Sequence, residues 1–158
     1  MTSGDRRYML KAGEGLGGSR TFLGQPLRML ATGRETGDEV TVFERRAEHA
    51  FSTPWHVHHI EDEAFYVLSG ELEVACGDAR WRAETGAFVF LPHSVPHAFR
   101  VVSDEAVTLH LTQPSGFEEF AAEMADTELS DANLPAVAEA AHRAGYEVLG
   151  PSPFPPGK

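Results

Sequence analysis

Between Leu27 and Leu111 the chain changes character every few residues, and this rhythm constrains the fold more than any other feature. Short runs rich in β-branched, aromatic and other apolar residues follow one another: Leu27 to Ala31, Glu39 to Arg45, Trp55 to His58, Glu63 to Leu68, Leu72 to Cys76, Arg80 to Ala83, Phe88 to Leu91, His97 to Val102 and Ala106 to Leu111. Ser69-Gly70, Gly77-Asp78, Thr85-Gly86, Pro92-His93-Ser94 and Ser103-Asp104 separate many of them with residues suited to tight turns. No helical periodicity intervenes. A parallel sheet needs long crossovers, usually helices, so the runs predict an all-β fold, an antiparallel sandwich or barrel.

Beyond Pro114 the period changes. Phe117, Phe120, Ala121 and Met124 recur at helical spacing behind Ser115 and Glu118, which are placed to form a capping box. Leu134, Val137, Ala138 and Ala141 repeat that spacing, with His142 and Arg143 near the helix end and Gly145 as a left-handed stop. Ahead of the strands, Tyr8-Met9-Leu10 reads as a strand-like arm on the glycine-rich connector Gly13 to Gly18. The chain thus divides into an arm and connector over 1–26, a barrel over 27–114, and C-terminal helices with a Pro-rich tail over 115–158.

At 158 residues one domain is enough to bury a core. Acidic residues outnumber basic ones by 24 to 13, giving a formal charge of -11, and no basic cluster exceeds pairs such as Arg45-Arg46. Such a surface argues against nucleic acid and anionic membranes as partners. Cys76 is the only cysteine, which excludes an intramolecular disulfide and reads as a packed side chain. No secretory leader pattern or membrane-length apolar run is present, so a soluble, cytoplasmic enzyme or binding protein is expected.

Four polar residues interrupt the β pattern in a way that suits a metal. His56 and His58 lie two apart on one run, so in a strand their rings share a face about 6.6 Å apart along the chain. Glu63 opens the next run, and His97 shares its alternation with apolar Phe99 and Val101, which turns it inward. Three neutral imidazoles and a carboxylate suit one divalent transition metal ion, Fe, Mn, Ni, Co, Cu or Zn, better than Mg or Ca. Phe65, Val67, Phe99 and Val101 share the faces of Glu63 and His97 and are expected to line a substrate pocket. His59, Glu61 and Asp62 read as a solvated rim, His93 as a loop residue, and His49 and His142 as surface. His110 shares a face with Ala106 and Thr108, which leaves solvent or the pocket wall open to it.

The same residues resemble the cupin superfamily. His56-x-His58-x4-Glu63-x6-Gly70 reproduces the first cupin motif, and Gly86-x5-Pro92 followed by His97 the second. Two positions depart from it: the family often has glycine where Ser94 stands and asparagine where Val101 stands. His56-Val57-His58-His59 and Glu61-Asp62-Glu63-Ala64-Phe65-Tyr66 look most like the single-domain, quercetin-dioxygenase-like cupins. The resemblance spans about Leu27 to Met124 and implies a double-stranded β-helix, or jelly-roll, barrel. It also implies a metal-dependent dioxygenase acting on a small oxygenated aromatic, flavonol-like or otherwise enolisable substrate, with Glu63 as proton acceptor. The alternatives are non-oxidative isomerisation, cyclisation or decarboxylation at the same metal, and a non-catalytic small-molecule-binding protein. A homodimer is expected, because a lone strand-like arm must find a sheet edge.

Overall fold

The computed structural model describes residues 4–156. Eleven strands and three short helices form two antiparallel sheets packed face to face. One sheet has the order β1 (Arg20–Phe22), β2 (Gln25–Ala31), β3 (Thr41–Glu48), β10 (Glu105–Gln113), β5 (Asp62–Ser69), β8 (Phe88–Leu91). The other runs β11 (Tyr146–Gly150), β4 (Trp55–His58), β9 (His97–Val101), β6 (Glu71–Cys76), β7 (Ala79–Glu84). This is the antiparallel all-β fold with a helical extension that the residue pattern predicts, in the jelly-roll form that the cupin resemblance implies, and each of the runs from Leu27 onward falls on a strand.

Alternation decides what each strand turns inward. On β3, Thr41, Phe43, Arg45 and Ala47 are buried while Arg46 and Glu48 face solvent. The register carries this across the sheet: His110 lies opposite Phe43 on one side and Phe65 on the other, and Thr112 lies opposite Thr41 and Glu63. Two clusters fill the interior. Phe65, Val67, Leu72, Val74, Leu91 and Val101 pack toward β6 and β7. Phe22, Leu27, Phe43, Phe117, Phe120 and Tyr146 pack where the helices α2 (Phe117–Glu123) and α3 (Leu134–Arg143) close the barrel. Each large side chain so buried contributes about 1.5–3 kcal/mol.

Gly70 shows why the first motif ends in glycine. Its φ is +85°, and a Cβ there would stand 2.3 Å from the Glu105 carbonyl oxygen. Only glycine lets the β5–β6 turn lie against β10.

Several expectations change. Tyr8-Met9-Leu10 forms no strand; Tyr8 Oη instead donates to the Leu30 carbonyl at 2.6 Å, and the Leu16 amide donates to Met29 O at 2.8 Å. The arm therefore lies on its own chain. The barrel also exceeds 27–114, because β1 and the start of β2 precede that span and β11 follows it. β11 is a strand the residue pattern did not assign; it forms because β4 offers it a free edge. The helix α1 (Gly33–Thr36) supplies a capping box, Thr32 with Glu35. The Ser115/Glu118 box does not form: α2 is capped at Gly116, and Glu118 instead accepts from the Gly33 amide, the Gly116 amide and Thr41 Oγ1. Two donors from distant segments and one local amide hold that carboxylate better than a single local amide would.

Candidate metal centre

Strand pairing assembles the site. His56 and His58 point the same way from β4, and His97 on β9 lies directly opposite His56 in the register. The ring centroids are 4.4 Å apart for His56 and His97, 4.8 Å for His58 and His97, and 5.2 Å for His56 and His58. One nitrogen from each lies within 4.8 Å of the other two, so the three could hold one metal ion.

Backbone carbonyls orient two of the rings. His56 Nδ1 donates to Pro54 O at 2.8 Å and His97 Nδ1 to Val95 O at 3.3 Å. A carbonyl only accepts, so both rings carry their proton on Nδ1 and keep the Nε2 lone pair free. His97 Nε2 is buried and has no hydrogen-bond partner among the described residues. An unmet lone pair among three imidazoles is what a cation would satisfy, so the donor set fits a metal.

The carboxylates complete the picture. Glu63 Oε2 lies 3.6 Å from His58 Nε2 and 3.7 Å from His97 Nε2, beside the ring nitrogens but beyond hydrogen-bond length. Its other oxygen, Oε1, accepts from His110 Nδ1 at 2.8 Å, and His110 Nε2 meets Thr108 Oγ1 at 2.8 Å. Phe43 stacks on His110 at 4.8 Å, fixing that ring. Glu61 Oε1 accepts from Tyr146 Oη at 2.8 Å, and its Oε2 lies 3.7 Å from His58 Nδ1.

Burial and mutual repulsion push His56 well below the usual histidine range. Burial also carries His58 down to about 4 against the pull of Glu63. Both are neutral at neutral pH, the form that ligates metals. For Glu63 burial acts upward, but the His110 hydrogen bond and the nearby imidazoles outweigh it and hold the carboxyl well below its ordinary range. Burial raises Glu61 to about 7, with the Tyr146 hydroxyl opposing.

These residues border a cavity of about 70 Å³ walled by Phe22, Phe43, Phe99, Phe117, Phe120 and Tyr146. Of the side chains expected to line it, only Phe99 does; Phe65, Val67 and Val101 are packed in the cluster toward β6 and β7, one layer away from the metal residues. Glu61 is not on a solvated rim but buried, because β11 folds Tyr146 over it. His110 belongs to the interior, 1 % exposed. His59 and His93 remain outside, paired with Glu147 and Asp62. Ser94, at the position where the family often has glycine, adopts a left-handed φ of 66°, and its amide donates to His58 O at 2.7 Å. The loop that precedes His97 thus still anchors β4.

A two-sheet jelly roll with imidazoles from two paired strands gathered inside it defines a cupin. Residues 39–112 match the Cupin_2 family, described as the cupin domain, and this stretch of the chain is a cupin domain. The chain resembles the quercetin-dioxygenase-like members: it is 34% identical over 99 residues to quercetin 2,3-dioxygenase of Bacillus subtilis (strain 168). That match takes in 61% of this chain but only 28% of the relative, so the chain spans less than a third of that protein's length. Two solved structures share the fold. KdgF from Halomonas sp. matches with a TM-score of 0.55 at 18% identity, covering 61% of this chain and 84% of that one. A protein described as a predicted oxalate decarboxylase from Thermotoga maritima matches with a TM-score of 0.55 at 15% identity, covering 57% and 80%. Among the described residues, no helix is long and apolar enough to cross a membrane.

Proposed function

We propose that the chain is a metal-dependent dioxygenase acting on a small oxygenated aromatic or other enolisable substrate. The observation that supports it most is the set of three convergent imidazoles beside a carboxylate that His110 holds by its far oxygen. His56, His58 and His97 would hold one divalent transition metal ion, Fe, Mn, Ni, Co, Cu or Zn, with Glu63 near enough to join as a fourth ligand. When bound, such an ion supplies Lewis acidity to a substrate oxygen. Glu63 Oε2 accepts the proton that a substrate hydroxyl gives up, while Oε1 stays on His110 Nδ1–H, so the base is positioned before substrate arrives. The aromatic walls exclude water and offer flat faces to a planar molecule. A cavity of about 70 Å³ has room for only a few waters, which favours a compact substrate over a multi-ring flavonol. The similarity to a quercetin dioxygenase supports the oxidative step.

We further propose a homodimer, for a different reason than the arm. Tyr66, Leu68, Phe88, Phe90 and Leu111 are exposed on the outer face of β5, β8 and β10, more apolar surface than a monomer needs to show.

Oxygen uptake by metal-reconstituted protein, supplied with a panel of flavonols, catechols and enolisable acids, tests the activity. Uptake that depends on substrate is expected. Product formed without oxygen consumption would replace the oxidative step with isomerisation, cyclisation or decarboxylation at the same residues, and the absence of any turnover would leave a binding protein.

A further inference from the structure

Arg45 is the only lysine or arginine buried among the described residues, and it lies in the barrel interior. The strand alternation that sends Arg46 outward to Glu105 turns Arg45 inward, where its guanidinium carbon lies 5.0 Å from the Phe22 ring centre, 5.2 Å from Phe99 and 5.7 Å from Phe51. Aromatic faces attract the charge but do not answer its N–H donors. Among the described residues, Nε is buried without a hydrogen-bond partner. Glu63 acts on the guanidinium only through space, and burial draws its pKa down to about 10, which still leaves it a cation at neutral pH.

The position of this cation gives it a use. Arg45 borders the same cavity as His56, His58, His97 and Glu63; the three histidines stand on the opposite sheet, while Glu63 shares the sheet of Arg45. A buried, unanswered arginine costs stability unless something pairs with it, and its planar fork matches a carboxylate through two parallel hydrogen bonds. The charges agree. A divalent ion with Glu63 and Arg45 leaves the cavity with a net charge near +2, which a molecule carrying one carboxylate lowers to near +1, and transfer of its hydroxyl proton to Glu63 leaves that sum unchanged.

We propose that Arg45 binds a carboxylate of the substrate, so that this centre acts on a compact aromatic or enolisable organic acid. This rests on the reading of the site given above and narrows it. The acid's carboxylate reaches the β3 wall while its hydroxyl or enol oxygen reaches the imidazoles on β4 and β9. Arg45 then sets which substrates bind and how they are oriented, and Glu63 moves the proton.

The test is a binding measurement, independent of turnover. Zinc-reconstituted protein is titrated by calorimetry with 4-hydroxybenzoate and with 4-hydroxybenzamide, a matched pair in which the two polar groups are too far apart to chelate one ion together. Wild type is expected to bind the acid at least tenfold more tightly. Arg45→Met is expected to lose that preference while keeping its affinity for the amide, and to melt at a higher temperature than wild type because an unpaired charge is gone. Arg45→Lys should keep part of the preference, and together with the wild-type comparison it decides the matter if Arg45→Met does not fold. Equal affinity for acid and amide, no measurable binding of the acid, or a preference that survives in Arg45→Met overturns the inference. Acid preference without oxygen uptake on any substrate would defeat the dioxygenase reading alone. Uptake with neutral substrates and no acid preference would defeat this one alone.

Discussion

Replacing His110 with phenylalanine removes the donor on which the carboxylate base depends, along with the contact of its Nε2 to Thr108 Oγ1. The new ring keeps the stack on Phe43 and nearly the same volume, but removes the Nδ1–H that Glu63 Oε1 accepts at 2.8 Å. Glu63 has little access to water there, with its side chain 12% exposed, so the lost bond leaves a charged group without its donor. A hydrogen bond to an ionised partner contributes about 1.5–3 kcal/mol, and in a domain of this size each kcal/mol moves the melting point by roughly 2–4 °C. Metal-free His110→Phe should therefore unfold at a temperature lower by roughly 3–12 °C at pH 7. The pH dependence has a definite sign. Glu63 is held below its ordinary range in the folded protein, so its contribution is fully present above the unfolded carboxyl pKa and disappears as pH falls through the folded value. The gap between wild type and variant should be full at neutral pH and close in acid. Reconstitution with zinc should also narrow it, because a dication beside Glu63 replaces the missing positive partner. Thermal unfolding of the pair, metal-free from pH 7 down to pH 3 and zinc-loaded at pH 7, measures all of this. A variant as stable as wild type at pH 7 would refute the claim that His110 holds Glu63 in place.

Other outcomes follow from the same geometry. Glu63→Gln should keep most of its metal on three imidazoles while turnover falls by roughly 10²–10⁴, measured by metal analysis beside an activity assay. Glu61 is raised to about 7 by burial, so the metal-free fold binds a proton that the unfolded chain releases, and stability should decline from the unfolded carboxyl range up to about pH 7; Glu61→Gln should flatten that decline in a pH series of melting curves. Gly70→Ala combines a φ of +85° with a Cβ 2.3 Å from Glu105 O and should cost more than about 2 kcal/mol in denaturant unfolding. Light scattering should return the mass of a dimer, and because the arm lies on its own chain, a protein beginning at Thr21 should remain dimeric; a monomer at full length ends that proposal.

The barrel was legible in the sequence because its strands alternate over enough residues for the period to show, as Thr41 to Glu48 does with Phe43 and Ala47 inward. His56 and His58 were legible as a pair on one face, and His97 as inward because it alternates with apolar Phe99 and Val101. What could not be read depended on partners far along the chain. Glu61 sits in an acidic turn and looks solvated until Tyr146, 85 residues later, covers it. Tyr146 and Val148 do alternate with charged Glu147, but five residues between a helix and a proline give too little pattern to stand against a tail. For His110, parity tied it to Ala106 and Thr108 without saying which face was inner; pairing with Phe43 and Phe65 decided it. Phe65, Val67 and Val101 show the converse limit: parity gives the face, whereas depth along the barrel, which separates pocket from packing, depends on where the helices close it.

The late strand β11 also bears on when the site can come into being during synthesis. β4, which carries two of the three imidazoles, has β9 on one side through the single pair His56–His97 and β11 on the other through Tyr146 to Gly150. Until the ribosome has delivered those last strand residues, β4 lacks most of its ladder and Glu61 lacks the hydroxyl that covers it. The remaining strands can pair while the chain is still growing. The wall that carries His56 and His58 is therefore complete only when β11 has paired with β4.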